Sequence, residues 1–417
     1  MRLLIVVLIT FCIMPSARSF GQSVGEVLPA WAPGTLEIHH ISTGRGDAGF
    51  FVFPDGTTMV FDVGELSNEV PEWRVPRFVT PRPDTMRTAG EYVVRYIQRR
   101  FAASMASPRI DYAMPSHFHQ DHMGGVSATS PQSERGDYVL TGLTTLGEHI
   151  PIRVMLDRAW PEYDYPHPLE SNDVTNYRSF LDWHTKNNGM IVERFKPGRH
   201  DQITLVHDPE GYPTFRMQNI TANGEVWTGV AQETRHHFPK LEFLDPEDYP
   251  TENISSIGFR LSYGAFDYFS GGDIYGIPPL GDPEWHDIET PVAQAVGPVE
   301  VAVLNHHGYV DSQNINFVQM VRPRVWVIQA WDSAHPTAMV YQRLRSTELY
   351  PGPRDIFATA MHPSNEEVVV GLDALASDSG HVVLRVAPGG ASYQVIIVDD
   401  SNEEDRVLAV HGPYEAR

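Results

Sequence analysis

The chain of 417 residues contains one cysteine, Cys12, which lies inside an apolar run close to the N-terminus. Removal of that run would leave a protein without any cysteine. Disulfide bonds and thiolate metal ligands are then excluded, so that an exported form of the chain must be stabilised by its core alone.

Basic residues are also scarce. The chain has 31 Lys and Arg against 53 Asp and Glu, which gives a formal net charge of −22. A field of that sign repels phosphate backbones, and no run of basic residues offsets it. The nearest approach is Arg95, Arg99 and Arg100, which a solvated helix face explains. We therefore expect no strong binding of nucleic acid.

Long hydrophobic runs are limited to residues 3–14, after Arg2 and before Pro15. This run is too short for a comfortable membrane span, and small residues at Ala17 and Ser19 suit signal peptidase. The segment resembles a secretory signal peptide; a retained N-terminal anchor is the alternative. We predict a signal peptide over 1–19, export to the periplasm or the extracellular space, and no transmembrane helix after processing.

What the sequence does contain is a dense cluster of metal-ligand side chains in MPSHFHQDHMGG, residues 114–125. An apolar strand over 109–114 should end at Pro115. In extended backbone His117 and His119 point the same way and can bind one ion together. Asp121 and His122 are adjacent and diverge, so at least one of them faces a second ion. The other interpretation is a surface loop that binds metal by accident.

Two later segments repeat this arrangement of ligands after a strand. Asp273 follows a predicted strand and two glycines, and His306 and His307 follow another strand directly before Gly308. Imidazole and carboxylate ligands favour zinc, with manganese or iron as alternatives. We therefore predict two zinc ions as cofactors.

Short strands alternate with amphipathic helices along the rest of the chain, which indicates an α/β fold. The predicted strands cover 36–41, 50–53, 59–62, 191–195, 203–206, 214–220, 255–263, 265–270, 299–304 and 325–329. The predicted helices cover 88–105, 173–187, 313–321 and 336–346. Strands 381–386 and 393–398 form a C-terminal hairpin. We predict a single domain over 20–417 with this hairpin as an extension from about 375.

HFHQDH resembles the HxHxDH signature of the metallo-β-lactamase fold. Two longer segments, LEIHHISTGRGDAGFFVFPDGTTMVFDVG and NISSIGFRLSYGAFDYFSGGD with the later VAVLNHHG, resemble the extracellular hydrolase domain of bacterial competence (DNA-uptake) channels. The resemblance implies an αββα sandwich of the metallo-β-lactamase type and a dimetal site. It also implies that Asp273 bridges both ions and that the HHG loop supplies a ligand. His307 is the preferred ligand and His306 would face the substrate, although the motif does not decide between them.

The resemblance places further residues at the site. Asp47 and Asp62 hold family positions beside the ligands, which they would orient. His335, in SAHPT, matches a position from which it could donate a proton to a leaving group. The predicted catalytic residues are Asp121, His306 and His335. The predicted metal ligands are His117, His119, Asp121, His122, Asp273 and His307.

The chain departs from the fold's common pattern at the first ion. The third histidine that usually completes this ion has no counterpart near residues 221–224. Asn223, water or the substrate would have to take its place.

The predicted activity is hydrolysis by a metal-bound hydroxide. The positive charge of two divalent ions exceeds the combined negative charge of Asp121, Asp273 and the hydroxide. The site therefore keeps a small positive charge, which favours an anionic substrate. We expect a phosphoester or phosphodiester in a small molecule or a cell-envelope polymer. An acyl hydrolase (a lactonase or β-lactamase-like enzyme) and a non-catalytic metal-binding protein are the alternatives. The aromatic loop 157–168 would flank the substrate, and its Trp160, Tyr163 and Tyr165 could stack on it.

The signal-peptide prediction is testable by N-terminal sequencing of protein recovered outside the cytoplasm. We expect the mature chain to begin near Phe20, because the apolar run is removed on export. A chain that begins at Met1 would show that the run is a retained anchor.

Overall fold

The computed structural model of the chain describes residues 22–67, 72–104 and 108–417. The predicted signal peptide, 1–19, lies outside the described residues. Over the three described ranges, none of the helices has the length and apolar character required to cross a membrane.

Strands dominate the described part of the chain, and helices lie between them. The strands are β1 (Leu36–His40), β2 (Ala48–Val52), β3 (Thr58–Val63), β4 (Ile110–Met114), β5 (Ile152–Asp157), β6 (Ile191–Arg194), β7 (Phe215–Ala222), β8 (Glu225–Trp227), β9 (Thr234–His236), β10 (Gly258–Tyr263), β11 (Phe266–Ser270), β12 (Val301–Val303), β13 (Val325–Ile328), β14 (Asp355–Ala358), β15 (His381–Val386), β16 (Ser392–Val398) and β17 (Val407–Glu415). The helices are α1 (Ala89–Ser104), α2 (Gln120–Met123), α3 (Gly142–His149), α4 (Asn172–Asn187), α5 (Glu289–Val296), α6 (Ile315–Val321), α7 (Ala338–Arg345) and α8 (Pro363–Val368).

The strands form two mixed sheets. The nine-stranded sheet has the order β17-β16-β15-β1-β2-β3-β4-β5-β6, and the eight-stranded sheet has the order β14-β13-β12-β11-β10-β7-β8-β9. Each sheet combines an antiparallel part with a parallel run, β3 to β6 in the first and β11 to β14 in the second. The two halves of the chain therefore repeat one plan.

Alternation along the strands explains how the sheets stack. On β2, Phe51 belongs to the core between the sheets, whereas Phe50 and Val52 face α1. On β13, Val325 and Val327 enter that central core, whereas the alternate residues pack beneath the helices of the second half. Both faces of both sheets are thus covered, as buried parallel strands require. The αββα sandwich predicted from the sequence is confirmed.

The predicted elements agree with the structure over most of the chain. Helix α4 begins one residue before the predicted 173–187, and α1 matches the predicted 88–105 over its described residues. The C-terminal hairpin is β15 and β16, and β15 pairs with β1, so the hairpin widens the first sheet. The last strand, β17, was not predicted.

One predicted strand, 203–206, is wrong. Ile203 and Leu205 are buried in the central core, but their segment joins neither sheet. The amide of Val206 donates to Oγ1 of Thr57 at 2.7 Å, a side chain of the β2–β3 turn. Alternating burial therefore arises here without a strand ladder.

The central core gives a stability prediction. Phe259 is fully buried between the sheets, with ring centroids 4.9 Å from Phe61 and 6.0 Å from Phe51. Replacing Phe259 with Ala should lower the free energy of unfolding in urea by about 3–5 kcal/mol, because the cavity cannot close. The control, Phe243→Ala, removes a ring that is 74% exposed and should change it by less than about 0.5 kcal/mol. Equal effects would contradict this packing.

Candidate metal centre

The histidine motif forms the loop between β4 and the single turn of α2. Two carboxylates from outside the motif hold its backbone. Oδ1 of Asp62 accepts a hydrogen bond from the amide of Ser116 at 2.6 Å, and Oε1 of Glu252 accepts one from the amide of Phe118 at 2.8 Å. The loop is thus fixed by Asp62 of β3 and by Glu252 from the segment that precedes β10.

Two glycines allow neighbouring loops to approach α2 closely. A Cβ on Gly64 would lie 1.9 Å from the carbonyl oxygen of Asp121, and one on Gly46 would lie 2.4 Å from it. Any larger residue would force the loops apart. The close approach lets the amide of Asp47 donate to that same oxygen at 2.8 Å.

A first set of ligand atoms comprises His117, His119 and Asp273. Nε2 of His117 lies 3.0 Å from Nδ1 of His119 and 3.7 Å from Oδ2 of Asp273. His119 is the exposed member, while the other two are buried. The predicted pairing of His117 with His119 is thus present.

A second set comprises Asp121, His122, Asp273 and His307, all of them buried. Nε2 of His122 lies 3.1 Å from Oδ1 of Asp273 and 3.5 Å from Oδ2 of Asp121. Nε2 of His307 lies 3.1 Å from that Asp121 oxygen and 3.5 Å from Oδ1 of Asp273. His307, rather than His306, belongs to this set.

Asp273 belongs to both sets and presents a different oxygen to each. Its Oδ1 and Nε2 of His122 are buried without a hydrogen-bond partner among the described residues. Buried polar atoms that remain unpaired and converge on one another are what a cation would satisfy. The donor atoms are imidazole nitrogens and carboxylate oxygens, so the cluster fits a dinuclear metal site.

Two carboxylates that were predicted to orient the ligands contact two of the candidate ligand histidines. Oδ2 of Asp62 lies 3.0 Å from Nδ1 of His122, and Oδ1 of Asp47 lies 3.0 Å from Nδ1 of His307. A carboxylate on Nδ1 keeps the proton there and turns Nε2 toward the metal. Asp47 is itself held by Gln329, whose Nε2 donates to Oδ2 at 2.9 Å.

Neighbouring charges and burial shift the pKa values of the residues in the cluster. Burial opposes a charge on His122, but Asp273, Asp121 and Asp62 raise the pKa of His122 well above its usual value. Burial also raises the pKa of Asp62 to about 6, even though His122 opposes the shift. Metal ions must displace the proton that His122 holds, so metal affinity should increase with pH.

His306 lies on the open side of the centre. Its side chain is 19% exposed, and its Nε2 is 3.9 Å from Oδ2 of Asp273. Nδ1 of His306 lies 2.8 Å from Asp311, and Nε2 lies 3.2 Å from Nδ2 of Asn253. Together with the exposed His119, it borders the space from which a substrate would approach.

His335 lies on the opposite side. Its ring stacks on that of His307, with centroids 4.5 Å apart and planes at 21°. Burial, and then the charges of His307 and His306, hold the pKa of His335 well below its usual value. The indole Nε1 of Trp331 approaches Nε2 of His307 at 3.3 Å. His335 therefore packs on the face of the His307 ring, whereas Trp331 contacts the nitrogen that faces the ligand set.

Asn223 does not occupy the place of a third histidine. Its Oδ1 accepts a hydrogen bond from Nη1 of Arg158 at 2.9 Å, and its Nδ2 donates to the carbonyl of Arg158 at 2.7 Å. Both ends of the amide are thus occupied. Arg158 in turn binds Glu252, so Asn223 supports the motif loop indirectly.

The aromatic loop agrees with the expectation only at its end. Tyr163 is 2% exposed, and its hydroxyl donates to Oδ2 of Asp157 at 2.5 Å, so its ring is unavailable to a substrate. Trp160 packs against the core beneath the helices of the first half. The end of the loop, Pro166 and His167, does border a cavity that reaches His119.

Sequence reasoning missed the polar residues that surround the ligands. These are Arg158, Glu252, Asn253, Asp311, Gln329 and Trp331. Asn253 begins the NISS segment and Asp311 follows the HHG loop closely, which are the only local signals that either residue carries.

Comparison with known proteins gives similarity at the level of structure alone. No family model matches the chain. No curated protein matches its sequence. A proposed metal-dependent hydrolase from Parabacteroides distasonis superposes with a TM-score of 0.33 at 12% identity, over 78% of this chain and 92% of that one. CmlA, a diiron β-hydroxylase from Streptomyces venezuelae, gives 0.39 at 12% identity, over 85% of this chain and 55% of that one. Nothing about activity follows from similarity of this degree.

The role of Asp62 can be tested by calorimetric titration of the metal-free protein with zinc. Asp62→Asn keeps the shape of the side chain but weakens the hold on Nδ1 of His122. We expect affinity at the second set to fall by about 10–100-fold. Glu210→Gln removes one carboxylate from an exposed loop and is the control. Unchanged zinc affinity in Asp62→Asn would contradict an orienting role.

Proposed function

We propose that the protein is an exported hydrolase that cleaves a phosphoester or phosphodiester with the aid of two zinc ions. The observation that carries the proposal is the position of Asp273 between the two ligand sets, one of which includes an exposed histidine. A storage or structural site would be closed on all sides, whereas this centre is open at His119. Histidine and carboxylate ligands without cysteine favour zinc, with manganese and iron as alternatives.

Bound divalent ions would lower the pKa of a water molecule and polarise the phosphoryl oxygens of the ester. The chain's own contribution is to hold the ligands rigidly. Asp62 and Asp47 fix the ring orientations of His122 and His307. Asp273 keeps the two ligand sets at a constant separation. Positioning of this kind is what phosphoryl transfer requires of a protein.

In the proposed reaction a water molecule releases one proton to solvent, its oxygen forms a bond to phosphorus, and the bond from phosphorus to the leaving oxygen breaks. The leaving oxygen requires a proton. His306 is placed to supply it, because it lies on the open side and Asp311 holds its Nδ1. Burial opposes protonation, but Asp273 and Asp311 together raise the pKa of His306. His335 is stacked behind His307 and acts as a support in this scheme.

The surrounding charges limit the size of the substrate. Arg158 is bound to Glu252, and Arg77 forms an ion pair with Asp332 at 2.8 Å, so neither is free to contact a polyanion. A net charge of −22 opposes an extended phosphate backbone, while one phosphoryl group still interacts with the ions. This supports a small molecule or a segment of a cell-envelope polymer as the substrate.

Zinc-loaded protein tests the substrate class. We expect turnover of bis(p-nitrophenyl) phosphate that is lost after chelation and restored by zinc. Asp273→Ala should lose zinc from both sets and reduce turnover by about 100-fold or more, because both ligand sets share this carboxylate. Metal content measured by mass spectrometry provides the second readout.

The same preparation should be offered a chromogenic lactone and a chromogenic β-lactam. Efficient hydrolysis of either, with inert phosphodiesters, would replace this proposal by an acyl hydrolase. Metal binding without turnover of any of these compounds would favour a non-catalytic role.

A further inference from the structure

A cavity of about 390 Å³ opens beside the exposed ligand His119. One wall is the end of the aromatic loop and the start of α4, and the other is the segment before β10. Its lining includes His119, His167, Leu169, Glu170, Tyr249 and Glu252, together with Pro166, Pro246 and Pro250. Since His119 is the exposed ligand, this cavity is where the organic part of a substrate would extend from the ions.

The cavity is unusual in its charge. No lysine or arginine is among the residues that line it. Glu252 is neutralised by Arg158, whose Nε donates to Oε1 at 2.8 Å. Glu170 is exposed, and the described residues include no ion-pair partner for it. The remaining charge that faces the cavity is therefore one carboxylate.

Apart from the two glutamates, the ligand His119 and the polar side chains of His167, Ser171 and Thr251, the lining is apolar or aromatic. Three prolines and Leu169 supply aliphatic surface, and the half-buried ring of Tyr249 lies among them. A carboxylate beside an aromatic ring and an aliphatic surface is a favourable environment for an organic ammonium group.

The N-terminus of α4 does not turn the cavity into an anion site. Oγ of Ser171 accepts a hydrogen bond from the amide of Val174 at 3.2 Å, which caps the helix. Asp173 adds a negative charge to the first turn. The positive end of the helix dipole is therefore already compensated.

We infer that this cavity binds an ammonium-bearing group esterified to the phosphate, and that Glu170 determines the preference for it. The inference rests on the proposed function, because the phosphate is placed at the ions. Glu170 selects the group by charge, and Tyr249 adds an aromatic face. An anionic group would instead meet an unpaired carboxylate and be rejected.

The test compares two p-nitrophenyl phosphodiesters of equal shape. One carries choline, and the other carries 3,3-dimethylbutanol, in which carbon replaces the charged nitrogen. With zinc-loaded protein we expect the choline ester to have a kcat/KM about tenfold higher, as expected for a carboxylate acting with one aromatic ring. Glu170→Gln should reduce the ratio to near one, and Glu170→Lys should reverse it. Ser171 still caps α4 in both variants.

Glu210→Gln is the matched control, since it removes one carboxylate from an exposed loop next to Asp208, which binds the β2–β3 turn. That turn lies at the end of β2 and β3 away from the ligands, so the ratio should not change. Calorimetric binding of phosphocholine and of 3,3-dimethylbutyl phosphate gives a readout that requires no turnover. The same preference should appear there and disappear in Glu170→Gln.

The outcomes separate the two proposals. Equal turnover of both esters by the native chain would overturn the ammonium site and leave the phosphodiesterase intact. A preference for the neutral ester would overturn the ammonium site as well. Preferential binding of phosphocholine without turnover of either ester would support the cavity and overturn the proposed hydrolysis.

Discussion

The carboxylate of Asp273 is the group that joins the two halves of the molecule at their common edge. It follows β11 of the second sheet, yet His117 and His122 come from the first sheet and His307 follows β12. A buried carboxylate is costly unless charges of opposite sign surround it. The histidines supply that charge in the absence of metal, and cations would supply it in their presence. The site therefore forms where loops that follow strands of both sheets meet.

The carboxylates of Asp62 and Asp47, which contact the ligand histidines from outside, are positioned by the fold. Asp62 belongs to β3, and Asp47 immediately precedes β2, so both are fixed by strands of the first sheet. Asp47 nevertheless orients His307, which belongs to the second half of the chain. The orientation of that ligand is correct only when the sheets are packed in register. Ions that bind only this arrangement would stabilise the folded protein.

Local patterns predicted the parts of the site that are local. The spacing of His117 and His119 indicated a pair of candidate ligands, and Asp273 was added to them by the resemblance of its segment to a known family; the structure brings all three together. The role of Glu252 could not be predicted from the sequence, because its contact with the amide of Phe118 spans 134 residues and depends on how the sheets stack. The error at 203–206 has a related cause, since burial in the central core produced a strand-like alternation without a ladder. Alternation and element order indicated an α/β fold, and the resemblance of the histidine motif to a known fold implied the αββα sandwich.

The acidity of the chain and an anionic substrate are compatible because they act over different distances. In the proposed function, ions in the buried cluster would act on one phosphoryl group in contact, whereas the surface charge acts on every molecule that approaches. An extended polyanion experiences the repulsion at every phosphate. A phosphodiester that carries a cation presents little net charge to the surface, and its cation is attracted by the same carboxylates. Glu170 has no ion-pair partner among the described residues and lines the same cavity as the exposed His119, so it would supply this attraction locally. The net charge of −22 therefore favours a substrate whose own charges are balanced.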